Sequence, residues 1–213
     1  KLDTALLLGI PTLSADGKNS YNSVMSLGAG DGIYHKRRLV PFGEYVPFEN
    51  QLRGLIEFFD LPMSNFSQGK QDQPLLNAQD TLIAPFICYE IAYADLVLRE
   101  AQKADVVVTL SNDSWFGNSM GPHQHLQIAR MRALETGRFV IRATNNGISA
   151  IINPKGIVTT TAPQFKEAVL IGKVYSMQGS TPASSAGLPI TIGGCWIFLL
   201  SLGFRIYLAS RRG

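Results

Sequence analysis

Leu82-Ile-Ala-Pro-Phe-Ile-Cys-Tyr-Glu90 reads as an apolar strand that ends on a reactive side chain. Continuous rather than alternating apolarity is the mark of a strand covered on both faces, the arrangement of the central sheets of α/β domains. The strand delivers Cys88 to its C-terminal tip with Tyr89 and Glu90 directly after it, as a nucleophile presented at a sharp strand-to-helix turn would be. Free cysteine is also among the most buried residue types. Position alone therefore leaves two readings open, a thiol nucleophile and a packed core residue.

Outward from this strand, further strand-like runs fall at residues 5–10, 21–27, 106–110, 139–143, 149–153 and 168–174, and helical patterns at 91–102 and 124–137. Several of the strands are unbroken apolar runs, and Asn153-Pro-Lys-Gly156 is a tight turn between two of them. The alternation of strands and helices predicts a mixed α/β domain with helices covering sheets. In the second helix Glu135 lies three residues from both Arg132 and Arg138, which predicts an ion-pair ladder along one face. Residues 49–80 are poor in strand pattern but hold Phe58-Phe59, Pro62-Met63 and Phe66, and read as an apolar loop region resting on lipid or folded over the core.

The 213 residues are 46% hydrophobic and carry a net charge of +3, enough chain for one sizeable core. The basic residues form no continuous stripe, so nucleic acid is not an expected partner. Cys88 and Cys195 lie in very different settings and are not expected to pair. From Leu188 to Phe204 run seventeen residues without a charge, and Ile206 to Ala209 continue the apolar stretch past Arg205. About 17–25 mostly apolar residues suffice to cross a bilayer. We therefore expect a soluble domain over 1–187, a transmembrane helix over 188–210 and a basic tail over 211–213. The small-residue segment Ser180-Thr-Pro-Ala-Ser-Ser-Ala-Gly187 links the first two. Arg205, Arg211 and Arg212 favour a cytoplasmic C-terminus, which puts the domain on the opposite face. The chain opens on Lys1-Leu-Asp without a secretory signal and enters a strand at once, as expected of an N-terminally truncated fragment.

A second segment bears on Cys88. In Tyr34-His-Lys-Arg-Arg-Leu-Val-Pro-Phe-Gly-Glu-Tyr-Val-Pro47 a lysine at the end of a short strand precedes a Pro-Phe-Gly turn that fixes a glutamate eight positions later. Lys36 beside a cysteine would stabilise its thiolate and donate to an oxyanion formed on an acyl carbon. Glu44 would hydrogen-bond Lys36 or a leaving group. Taken alone, Lys36 reads first as a solvated surface charge in a basic cluster with Arg37 and Arg38.

The segment 34–47, the Cys88-Tyr-Glu90 tip and Ser111-Asn-Asp-Ser-Trp-Phe-Gly117 together resemble the nitrilase superfamily. Within it they look like its membrane-bound branch, the bacterial apolipoprotein N-acyltransferases. Gln124–Arg138, Arg142-Ala-Thr-Asn-Asn-Gly-Ile-Ser-Ala150 and the terminal apolar helix extend the likeness over essentially the whole chain. The resemblance implies an αββα sandwich followed by one transmembrane helix, with a Glu–Lys–Cys triad. Cys88 matches its nucleophile, Lys36 its lysine and Glu44 a supporting glutamate. Tyr89 and Glu90 match the residues flanking the nucleophile, and Trp115 an aromatic near the acyl entrance. It implies a phospholipid acyl donor, a diacylated apolipoprotein as acceptor through its N-terminal cysteine amine, no cofactor, and a place in the bacterial inner membrane with the domain on the periplasmic side.

One departure stands out. The general-base glutamate of the resembled family lies upstream of the lysine, yet residues 1–35 hold Asp3, Asp16 and Asp31 and no glutamate. The chain is accordingly expected to be the C-terminal portion of a longer protein and to be inactive alone. Other chemistries find less support. His123 and His125 have the wrong spacing to share a helix face and read as structural or capping residues, so no metal is expected. Ser111 and Ser114 match no serine triad. Two alternatives remain at this level: an amidase acting on small C–N substrates, and a non-catalytic membrane-tethered lipoprotein-binding module.

Overall fold

The structure, a computed structural model, describes residues 3–45 and 66–210. Residues 49–65 of the expected apolar loop region, and the basic tail at 211–213, lie outside the described residues. The described strands are β1 (Ala5–Leu13), β2 (Ser20–Gly28), β3 (Gly30–Asp31), β4 (Ile33–His35), β5 (Leu76–Ala78), β6 (Thr81–Ile87), β7 (Val106–Asn112), β8 (Phe139–Asn145), β9 (Ala150–Ile152) and β10 (Val158–Thr161). The α-helices are α1 (Ala94–Ala101), α2 (Gly121–Thr136) and α3 (Leu188–Ser210).

The strands form two sheets. The smaller is antiparallel in the order β1-β2-β4, and the larger runs β10-β9-β8-β7-β6-β5-β3. At the centre of the larger sheet β6, β7 and β8 are mutually parallel, as their continuous apolar runs predict. Two cores result. Ala84, Phe86, Val107 and Val140 pack on one side with Leu96, Val97, Ala101, Ala129 and Ala133 of the helices. Ile83, Val106, Val108 and Ile151 pack on the other with Val24 and Tyr34 of the smaller sheet. Helices, large sheet and small sheet are thus three successive layers among the described residues, α, β and β of the αββα sandwich that the resemblance implies. Pro85 sits within a central strand, where proline removes a ladder bond. The β5 ladder ends at Ile83, so beyond it β6 pairs only with β7.

Three sequence expectations change. The helix expected over 91–102 is a tight 3₁₀ turn, Cys88–Ala92, followed by α1, because Tyr93 between them is extended at φ −81° and ψ 94°. Its ring lies edge-on to Tyr89 and under the Arg38 guanidinium. Residues 168–174 pair with no strand. They run as a strap in which Leu170 and Val174 touch the inter-sheet core while Val169 and Ile171 are 89% and 83% exposed. The strand that pairs with β9 on the side away from β8 is β10, reached through the predicted turn, where Gly156 takes φ +72° and donates to Asn153 at 2.9 Å.

The expected ladder on α2 keeps only its first rung, Arg132–Glu135 at 3.1 Å. Gly137 turns the chain left-handed at φ +64° and ends the helix, so Arg138 leaves that face. It donates instead to the carbonyls of Ala104 and Gly179, both at 2.7 Å. The linker before α3 is docked on the domain. Gln102 donates to the Ser184 carbonyl and Thr181 to the Glu135 carbonyl. The 23 residues of α3 span roughly 34 Å at 1.5 Å per residue, enough for a hydrocarbon core of about 30 Å. Its apolar stretch Pro189–Tyr207 is unburied within the described structure and long and apolar enough to cross a membrane.

Candidate active site

The parallel arrangement brings the C-terminal ends of β6, β7 and β8 to one edge. Ile87 at the end of β6 pairs with Leu110, while β7 runs on through Ser111 and Asn112 opposite Thr144 and Asn145 of β8. Cys88 follows β6 immediately and adopts φ +55°, a left-handed conformation that costs a non-glycine residue about 1–2 kcal/mol. The chain there reverses from strand to 3₁₀ turn, and the thiol is half-buried rather than sealed in the core. Tyr89 beside it is half-exposed, and Trp115, on a short turn after the neighbouring β7, is 69% exposed.

Glu90 ties this turn to the lysine segment. It is fully buried. Its Oε2 accepts from the Ile87 N–H at 2.8 Å, and its Oε1 accepts from the N–H groups of Arg37 (2.7 Å) and Arg38 (3.0 Å) and from the Tyr34 hydroxyl (3.0 Å). Burial raises its pKa above the ordinary carboxylate value, and the three N–H donors and the Lys36 charge pull back against it. Burial, then the Glu90 charge, likewise raises the Tyr34 pKa.

Lys36 is not a solvated surface charge. It is 1% exposed, and its Nζ donates to both carboxylate oxygens of Glu44, at 2.8 and 2.7 Å. The turn between them closes through Gly43 and Glu44 N–H bonds to the Val40 carbonyl, with Phe42 at φ +61°. Glu44 also accepts from Asn22 Nδ2 at 2.5 Å and the Val40 N–H at 2.8 Å. Arg37, next along, is buried and paired with Glu100 at 2.9 Å, while Arg38 reaches Asp95 at the surface.

A second buried cluster, centred on Asp113 and Arg142 to which sequence reasoning gave no role, reaches the Cys88 backbone. Asp113 accepts from Ser111 Oγ at 2.5 Å, from Arg142 Nη2 at 2.5 Å and from His125 Nδ1 at 3.2 Å. The other ring nitrogen of His125 meets the Cys88 carbonyl at 3.1 Å. Burial alone would raise the Asp113 pKa, but the bonds from His125 and Ser111 and the Arg142 charge outweigh it, and the carboxyl titrates below its usual range. Burial lowers the Arg142 pKa, opposed by Asp113 and by Cys88. The signal was in the sequence: an arginine inside the apolar run 139–143 must find a buried counter-charge. His125 is buried in this cluster and bridges it to the Cys88 backbone. His123 is exposed, which separates the two imidazoles.

A family model described as carbon-nitrogen hydrolase matches residues 1–182. The chain belongs to the carbon-nitrogen hydrolase family. Among curated relatives of this chain, the apolipoprotein N-acyltransferase of Pseudomonas putida is 54% identical over 181 residues, which is 84% of this chain and 36% of the relative. The proteins of the same name from Azotobacter vinelandii and Vibrio parahaemolyticus are 54% and 46% identical, over 84% and 87% of this chain and 35% and 38% of their own lengths. The chain thus spans little more than a third of the relatives it matches. In fold it is similar to a carbon-nitrogen hydrolase of Helicobacter pylori, with TM-score 0.58 and 17% identity over 78% of this chain and 60% of that one. A Nesterenkonia amidase of the nitrilase superfamily gives the same TM-score and identity over 90% of this chain and 67% of its own.

Proposed function

We propose that the full-length protein containing this domain of the carbon-nitrogen hydrolase family is an apolipoprotein N-acyltransferase of the bacterial inner membrane. The reading is carried by the 54% identity to curated proteins of that name. The apolar helix α3 supports it, since it would hold the thiol of Cys88 near a phospholipid donor. The Cys88 sulfur adds to the ester carbonyl carbon of the phospholipid and a base takes the thiol proton. The oxyanion is met by Lys36 Nζ and the Tyr89 N–H, in the first turn of the 3₁₀ segment where N–H groups lack an intrahelical partner. The C–O bond then breaks, the departing glycerol oxygen receives the proton, and a thioester remains. The N-terminal cysteine amine of a diacylated apolipoprotein attacks that thioester, loses its proton to the base and releases the thiol, so amide formation restores the enzyme.

Glu44 holds Lys36 in place, and Trp115 lines the acyl entrance. The domain works on the periplasmic face with residues 188–210 in the membrane. Asp16 is committed to its hairpin through Ser14 and the Lys18 N–H. Following the resemblance, the base is assigned to a glutamate of the full-length protein upstream of Lys1, and the chain is expected to be inactive alone.

The test is to incubate full-length protein with phospholipid and measure the mass of the Cys88 peptide. A fatty-acyl increment on Cys88, absent in Cys88→Ala and discharged by a diacylated lipopeptide, is the expected result. Turnover of a small amide with no acyl increment would replace this reading with an amidase. Lipopeptide binding with neither reaction would replace it with a binding module.

A further inference from the structure

We propose that His125 is a positioning residue that aims the Tyr89 backbone N–H at the reacting carbonyl by holding the other end of the same peptide plane, the Cys88 carbonyl. The inference rests on Cys88 being the acylated nucleophile. In a trans peptide the C=O of one residue and the N–H of the next point in opposite directions and turn as one unit. His125 Nε2 lies 3.1 Å from the Cys88 oxygen, so its position fixes where the Tyr89 N–H points. Cys88 is held at φ +55°, a conformation that persists only when its surroundings over-determine it. The histidine supplies that constraint from below.

The ring is itself locked. Nδ1 meets Asp113, and Asp113 is fixed by Ser111 and Arg142, each at 2.5 Å. Gly147 closes over the carboxylate, where an added Cβ would stand 2.4 Å from Oδ2. Phe116 lies edge-on to the imidazole. The partners at the two ring nitrogens, a carboxylate and a peptide carbonyl, only accept hydrogen bonds. Each contact is a hydrogen bond when the nitrogen facing it carries a proton, and Arg142 shares the Asp113 carboxylate with the ring. Both ring nitrogens are occupied, which leaves neither for a metal.

Two reactions of the same thiol separate aiming from general support. Alkylation of Cys88 by iodoacetamide needs the thiolate but forms no oxyanion, whereas acylation by p-nitrophenyl butyrate passes through one. In full-length protein, His125→Phe removes the donor to Cys88 and His125→Gln retains one. The Phe variant is expected to slow acylation about ten- to a hundredfold while alkylation stays within about threefold, and the Gln variant to regain most of the loss. His125→Asn, polar but too short to reach the carbonyl, should repeat the Phe pattern if the Phe variant fails to fold. Parallel loss of both reactions, or loss of neither, overturns the proposal. Acylation of Cys88 by the ester but never by phospholipid would overturn the acyltransferase reading and leave the role of His125 measured. A Cys88 that the ester never acylates would overturn both.

Discussion

Glu90 and Lys36 are both buried ionisable residues, and each is held by partners on the lysine segment or the turn after it. Glu90 gathers donors from Tyr34, Arg37, Arg38 and Ile87. Glu90→Gln puts an amide NH₂ where a carboxylate oxygen accepts, leaving at least one buried N–H unpaired. The change is expected to cost about 1–3 kcal/mol, read as a lower unfolding midpoint of the full-length protein. Lys36→Ala removes the cation but leaves Glu44 bonded to Asn22 and the Val40 N–H. Loss of an oxyanion donor typically costs about 2.7–4 kcal/mol of barrier, so acyl transfer to a lipopeptide should fall about a hundred- to a thousandfold. Retention of more than about a tenth of the rate, a loss of only some 1.4 kcal/mol, would remove Lys36 from the chemistry. The Lys36–Glu44 contact was legible because both residues lie on one turn. The partners of Glu90 were not, because they are 52 to 56 positions upstream, apart from Ile87.

Among the elements, β6, β7 and β8 were readable because a strand buried on both faces leaves an unbroken apolar run. The short β10, Val-Thr-Thr-Thr, leaves no such run. The strap at 168–174 shows the converse error: its apolar residues mimic a strand, but backbone pairing needs a neighbour with a free edge, which pattern alone does not supply. Helix α3 was legible because its composition rather than its contacts defines it. A single arginine at its midpoint should therefore be decisive. Leu199→Arg is expected to cost about 2.5–3.5 kcal/mol of insertion, lowering the ratio of inserted to uninserted α3 reporter fusion about a hundredfold. Unchanged insertion would argue against a membrane-spanning α3.

For the molecule as a whole, the buried Asp113 cluster joins β7, α2 and β8 beneath the site and links stability to pH. Folding lowers the Asp113 pKa below its unfolded value of about 3.9. The ionised form is thus favoured in the folded state, and the cluster contributes fully above that value. The contribution is lost as pH falls from about 4 through the lower folded pKa. Acid unfolding followed by circular dichroism should steepen in that range. Asp113→Asn should lower stability at neutral pH and flatten the acid limb. An unchanged acid limb in that variant would mean other carboxylates control it.

The sequence by itself determined the parallel strand core, the apolar helix at its end, a cysteine delivered to a strand tip, and a lysine and glutamate sharing one turn. These follow from periodicity, turn chemistry and local spacing, which act over a few residues. Only the tertiary structure decided that Lys36 is buried and paired, that Glu90 bonds the lysine segment to the nucleophile turn, and that Asp113, Arg142 and His125 meet under Cys88. Those contacts join residues brought together by sheet order and register. A buried charge announces that it needs a partner, but which partner it finds depends on which strand ends lie side by side.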